Sequence, residues 1–104
     1  MVEHRAGTFY IDVVRIRKVD GFVYWWNLLD YPKPTATGVL SAKIYKQGDC
    51  KLFREKTLND SYYNEPMGRG EVASSSNKPD KDWNYPPPNN TNELTLKTVC
   101  ALKK

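Results

Sequence analysis

Cys50 and Cys100, the only two cysteines, are the side chains with the most distinctive chemistry open to them. Half the chain lies between them, and neither has a cysteine or histidine beside it. Zinc sites and redox dithiols need closer ligands. The spacing suits a long-range staple, which would remove roughly 4 kcal/mol of unfolded-state freedom in the chain-entropy picture. A staple also implies an oxidising compartment. The alternative is a pair of free buried thiols acting as small hydrophobes, and spacing alone leaves both open.

Other chemistry is sparse. His4 is the only histidine and stands in the N-terminal segment, so no Ser-His-Asp or Cys-His constellation is expected. No Cys/His cluster has zinc spacing. Gly68-Arg69-Gly70 lacks the Lys-Ser/Thr and the helix of a phosphate loop, and reads as a glycine-rich turn. Asp80, Lys81 and Asp82 lack the ligand spacing of a calcium loop. Asn59-Asp60-Ser61 and Asn89-Asn90-Thr91 fit the glycosylation sequon, which occurs often by chance. These residues predict no enzyme, no metal and no cofactor.

Aromatic side chains carry the remaining functional hint. Tyr24, Trp25 and Trp26 lie on one strand-like run, and Tyr62, Tyr63, Trp83 and Tyr85 lie in predicted loops. Such residues bury much area at little entropic cost and are enriched at interfaces. Tyr62, Tyr63, Arg69, Trp83 and Tyr85 are the expected contributors to a binding surface, Arg69 projecting from a tight turn. The competing reading places these rings in the core, with Trp26 and Tyr24 under a helix and Trp83 anchoring its loop.

The elements that must position these residues are mostly strands. Thr8 to Val19 is rich in β-branched and aromatic residues, with Asp12 breaking it. Asp20-Gly21 is a type I′ hairpin signal. Phe22 to Leu29 alternates Phe22, Tyr24, Trp26 and Leu28 against Val23, Trp25 and Leu29. Both faces are apolar, which predicts a central strand covered at least partly on both sides. Pro32 to Gly38 is a loop. Val39 to Lys46 is a strand turned by Gln47-Gly48, and Cys50 to Leu58 is the next. Asn64 to Gly70 is a turn, Glu71 to Ser74 a short strand, and Ser75 to Asn90 irregular. The C-terminal segment is ambiguous. Asn90 and Glu93 can cap a helix, with Leu96, Val99 and Cys100 on one face and a Glu93–Lys97 pair. Periodicity slightly favours a strand instead.

A chain of 104 residues supports one core. Sixteen Lys and Arg against twelve Asp and Glu give a net charge of +4. The basic residues are dispersed, and Arg15-Ile16-Arg17-Lys18 is the densest run. That surplus permits weak attraction to anionic partners without naming one. No apolar stretch is long enough to span a membrane. Met1 to Ala6 lacks the apolar middle of a signal peptide. The protein is therefore either cytosolic or shown without its export signal, and the cysteines favour the second. Residues 1–6 are expected to be disordered and 7–104 to form a single domain.

From Ser61 onward the order of residues resembles the surface-adhesin protein E family. The matching run is Tyr62-Tyr63, Pro66-Met67-Gly68-Arg69-Gly70-Glu71-Val72, Trp83, the Pro88 region and Val99-Cys100. Upstream, Phe9 to Asp12, Trp26 to Pro34, Leu40 to Lys43 and Asp49-Cys50 fit the same pattern. The resemblance implies an α+β fold: a single antiparallel sheet of about five to six strands with a C-terminal helix on one face. It pairs Cys50 with Cys100, tying helix to sheet, and so favours the helix over the strand for residues 90–102, contacted by Trp26 or Tyr24. It implies a bacterial envelope protein, periplasmic or at the cell surface, that binds host or envelope proteins. A homodimer is compatible with this, and nucleic acid is disfavoured. The alternatives are a single-stranded nucleic-acid binder built on aromatics edged by Arg and Lys, and a structural subunit that self-associates through a sheet edge. The two isolated thiols weigh against a cytosolic nucleic-acid partner.

Overall fold

The computed structural model describes residues 2–4 and 7–103. Among these residues seven strands form one antiparallel sheet: β1 (Val2–His4), β2 (Gly7–Ile11), β3 (Arg17–Val19), β4 (Phe22–Asp30), β5 (Ser41–Asp49), β6 (Arg54–Tyr63) and β7 (Val72–Ser76). Their order is β1-β2-β4-β5-β6-β7, with β3 also pairing β4. Val2–His4 pairs with Gly7–Phe9, where a disordered segment was expected. Met1, Arg5 and Ala6 lie outside the described residues.

β2 and β3 are two halves of one interrupted strand. Ile11 faces Asn27 and Arg17 faces Tyr24, so residues 12–16 stand opposite only Trp25 and Trp26. The surplus loops out as a 3₁₀ turn over Val13–Arg15, with the Arg15 amide bonded to the Asp12 carbonyl. The detour turns Ile16 into the core at 3% exposure and leaves Val14 at 89%. Asp20 and Gly21 both take positive φ, 52° and 84°, and close the hairpin that pairs Val19 with Phe22, as the sequence predicts.

The next turn falls later than its residues suggest. β5 runs through Gln47 and Gly48 to Asp49, and β6 begins at Arg54 rather than Cys50. Two facts account for the shift. The Asp49 carboxylate accepts the Lys51 and Leu52 amides, each at 3.2 Å, which builds the turn beyond it. Gly48 stays in the strand because the helix leaves no room there for a side chain.

That helix, α1 (Thr91–Leu102), starts where its capping residues place it. The Asn90 side chain accepts the Glu93 amide at 2.8 Å, and the Glu93 carboxylate accepts the Asn89 amide at 3.1 Å. Glu93 also pairs with Lys97 at 3.8 Å. Thr95, Leu96 and Val99 are buried. The core they complete is Ile16, Val23, Trp25, Leu96 and Val99, flanked by Ile11, Cys50, Phe53 and Cys100. Cys50 and Cys100 are joined, with Sγ–Sγ 2.03 Å, so α1 is bonded covalently to the turn after β5.

The face of β4 under the helix is the reverse of the one expected. Val23 and Trp25 pack against α1, whereas Tyr24 and Trp26 point to the other side of the sheet. Size and polarity explain the choice. Val23 and Gly48 leave space for Leu96, and the Trp25 indole N–H is satisfied within the sheet by Asn27 Oδ1 at 2.8 Å. A covered Tyr24 would need a buried partner for its hydroxyl.

Candidate functional site

The face opposite α1 is built by strand alternation. β4 contributes Phe22, Tyr24, Trp26 and Leu28, and their register partners on β5 include Gln47, Tyr45 and Lys43. Tyr10 of β2 stands opposite Leu28 and Arg17 of β3 opposite Tyr24. Phe22, Tyr24, Trp26, Leu28 and Tyr45 are all half-buried. A fully covered sheet would bury them, so this face is open to solvent.

Its aromatic rings form a ladder across the strands. Tyr45 lies between Tyr24, centroids 6.3 Å apart, and Trp26, 4.7 Å. Arg17 donates to the Tyr45 hydroxyl at 2.8 Å and sits 5.7 Å from the Tyr24 ring centroid. The Tyr45 phenol thereby holds the Arg17 guanidinium still more firmly charged. Gln47 donates to the Tyr24 hydroxyl at 3.1 Å. Toward the β2 side the face deepens into a cleft of about 470 Å³, lined by Tyr10, Trp26, Leu28, Lys43, Ser61 and Tyr63 and reached also by Asp12 and Arg15.

The five residues expected to form one surface fall into two groups. Tyr63 stands opposite Ser41 at one end of β5, and Arg54 opposite Asp49 at the other, about 26 Å away at strand rise. Tyr63 lines the cleft beneath Lys43, whose ammonium is 5.3 Å from its ring centroid. Tyr62 belongs to the same end but stands opposite the buried Ala42, on the α1 side of the sheet, and so does not share the face of Tyr63. Burial, then the Asp60 and Tyr31 charges, push the Tyr62 hydroxyl above the ordinary tyrosine value. Arg69 is exposed beyond the 3₁₀ turn Pro66–Gly68. That turn is tied down by Ser41, which donates to the Glu65 carbonyl (2.6 Å) and accepts the Gly68 amide (2.8 Å). Asp30 accepts the Met67 amide at 2.8 Å. Gly68 has φ +69°, a backbone conformation that favours glycine, and a Cβ there would have to displace the flexible end of Lys43.

Trp83 and Tyr85 lie at the far end. The segment that carries them joins the sheet edge through paired Glu55–Asn84 backbone bonds (2.9 and 2.8 Å) and an Asp80 amide bond to the Thr57 carbonyl (2.9 Å). Trp83 stacks on Phe22 at 5.6 Å. Arg54 and Lys56 lie 4.5 and 4.6 Å from its ring centroid. Tyr85 is 63% exposed, and its hydroxyl helps to keep the Arg54 guanidinium charged. Sequence reasoning did not single out Tyr10, Arg17, Lys43 and Tyr45. The alternation of β5 and its pairing with β4 bring them together, and only the Phe22–Leu29 alternation was legible as a hint of such a face.

The family model for surface-adhesin protein E matches residues 1–101. Several solved structures of Haemophilus influenzae protein E share the fold. One crystal form is 22% identical, with 89% of this chain and 80% of that chain covered and a TM-score of 0.70. Another structure of the same protein is 20% identical, covers 89% and 76%, and has a TM-score of 0.72. Protein E from non-typeable Haemophilus influenzae is 22% identical over 89% and 69%, with a TM-score of 0.65. No curated protein matches. Among the described residues no helix is long and apolar enough to cross a membrane. The helix over one sheet face is bonded to the sheet by Cys50–Cys100, and the family model matches nearly the whole length, which leads to one assignment: the chain belongs to the surface-adhesin protein E family.

Proposed function

We propose that this chain is a non-enzymatic, extracytoplasmic binding domain that recognises host or envelope proteins through the sheet face opposite α1. The observation that carries the reading is the exposure of that face. Rings are placed on it across four strands, and Arg17, Lys43 and Lys56 have no carboxylate partner there among the described residues. A domain of this size has little reason to leave so much aromatic area uncovered unless a partner covers it. The disulfide supports work in an oxidising compartment. Tyr63 and Tyr85 flank the face at its two ends, Trp83 holds the loop that borders it, and Arg69 extends it beyond β6.

The test is binding to a panel of purified extracellular-matrix and envelope proteins, using wild type and the variants Lys43→Glu, Tyr63→Ala, Trp83→Ala and Arg69→Ala. Circular dichroism and an intact disulfide establish that each variant is folded. Binding that drops in Lys43→Glu and Tyr63→Ala supports the reading. Folded variants that all keep wild-type binding to every partner would place recognition elsewhere.

A further inference from the structure

Several rings of the open face already have a flat side covered by a neighbour. Tyr45 is packed between Tyr24 and Trp26. Cations lie over others: Arg17 over Tyr24, Lys43 over Tyr63, and Arg54 and Lys56 over Trp83, which also stacks on Phe22. Rings packed this way and still half exposed show solvent their edges and hydroxyls. The edge is the positive end of an aromatic quadrupole. The Tyr45 and Tyr24 oxygens already accept from Arg17 and Gln47, so each hydroxyl hydrogen is left to donate outward. Full charges on Arg17, Lys43 and Lys56 add to the same sign.

A nucleobase binds such platforms by stacking on a free ring face, and on Tyr24, Tyr45, Tyr63 and Trp83 a ring or a cation already takes such a place. Ring edges, phenol donors and ammonium or guanidinium groups match carboxylates. We infer that the partner segment this face receives is an extended acidic stretch of polypeptide. Its carboxylates reach Arg17, Lys43 and Lys56, and an apolar side chain enters the cleft between Tyr10, Trp26 and Leu28. From Phe22 to Leu28 the face spans about 20 Å, enough for six or so extended residues. The inference rests on the reading of this face as the recognition surface, and it adds the chemistry of what is recognised.

The full chain is titrated with a blocked octapeptide alternating glutamate and leucine, with its glutamine counterpart, with an oligothymidylate and with a heparin oligosaccharide. Tryptophan fluorescence and backbone amide shifts are read at low and moderate salt. The glutamate peptide is expected to bind and to shift Trp26, Lys43 and Tyr45, more weakly as salt rises. The glutamine peptide, Lys43→Glu and Arg17→Glu should each weaken binding about tenfold or more. Lys43 is exposed, so its variant folds even if Arg17→Glu disturbs the tyrosine ladder. Equal binding of the glutamine peptide, tighter binding of the oligothymidylate or heparin fragment, or no binding of the glutamate peptide overturns the inference. A purified partner protein that loses affinity for Lys43→Glu, yet is not displaced by the glutamate peptide, overturns it while leaving protein recognition standing.

Discussion

Leu96 of α1 sits directly over Gly48 of β5: a Cβ at position 48 would lie 2.8 Å from Leu96 Cδ1 and 2.8 Å from Trp25 Cζ3. The helix rests on the sheet where the sheet has no side chain. Gly48→Ala should therefore overpack the core and destabilise by about 1–3 kcal/mol. A domain of this size loses about 4–8 °C in Tm per kcal/mol, and thermal unfolding checks the expectation. An unchanged or raised Tm would show that α1 can lift without cost.

The Cys50–Cys100 bond closes a loop of 50 residues in sequence separation, which the chain-entropy estimate values at about 4 kcal/mol. Cys100→Ser, or reduction of the native protein, should lower Tm by well over ten degrees at about 4–8 °C per kcal/mol. Mass spectrometry of unreduced peptides should find the two segments joined. Two thiols that alkylate readily in the native, oxidised protein would contradict the linkage.

Asp49 makes the turn after β5 sensitive to acid. Burial pushes its carboxyl up, but the Leu52 amide, the Arg54 guanidinium at 2.9 Å and the Lys51 amide outweigh it and hold the group below its usual range. A carboxyl lowered on folding stabilises the protein above its unfolded value of about 3.9, and that contribution is lost as pH falls through the folded value. Asp49→Asn should cost about 1–3 kcal/mol at neutral pH. Denaturant curves for the two proteins should converge in the acid range below about pH 3.9. A gap that does not change with pH would mean that Asp49 acts through shape, not charge.

Trp83 is held by Phe22 on the sheet and by the cations Arg54 and Lys56. Trp83→Ala should free the segment around Asp80 to Asn84. Amide exchange at Glu55 and Asn84, which bond each other, should accelerate strongly, while Leu96 and Val99 in the core keep their protection. Unaltered exchange at Glu55 would show that the edge pairing stands without the ring.

Asn90 caps the N-terminus of α1 through its bond to the Glu93 amide. Asn90→Ala should cost about 1 kcal/mol, while Asn90→Asp or Asn90→Ser should cost much less. Equal losses in all three variants would assign the effect to something other than capping.

Much of the scaffold was legible because it depends on neighbours in sequence. Asp20-Gly21 closes its hairpin since both residues tolerate positive φ. Asp12 interrupts the first long strand, and Asn90 with Glu93 starts the helix. The resemblance to the family supplied what periodicity left open, the helical state of residues 91–102 and the pairing of the cysteines. The turn after β5 was misplaced because Gln47-Gly48 carries the usual turn residues, while the helix that needs Gly48 in the strand is remote in sequence.

Which face of β4 receives α1 is a tertiary matter. Phe22, Tyr24, Trp26 and Leu28 are as apolar as Val23, Trp25 and Leu29, so alternation by itself names two faces without ranking them. Packing decides: Val23 and Gly48 admit Leu96, and Asn27 satisfies the buried Trp25 indole. The candidate site follows from that choice, since Tyr45, Lys43 and Arg17 become a cationic, aromatic face only when β3, β4 and β5 pair in register with the helix on the far side. The sequence determined most of the strands, the turns at Asp12 and Asp20-Gly21 and the helix cap, because local backbone chemistry suffices for these. The tertiary structure decided which rings are core and which stay open to solvent, because burial depends on contacts between residues far apart in the chain.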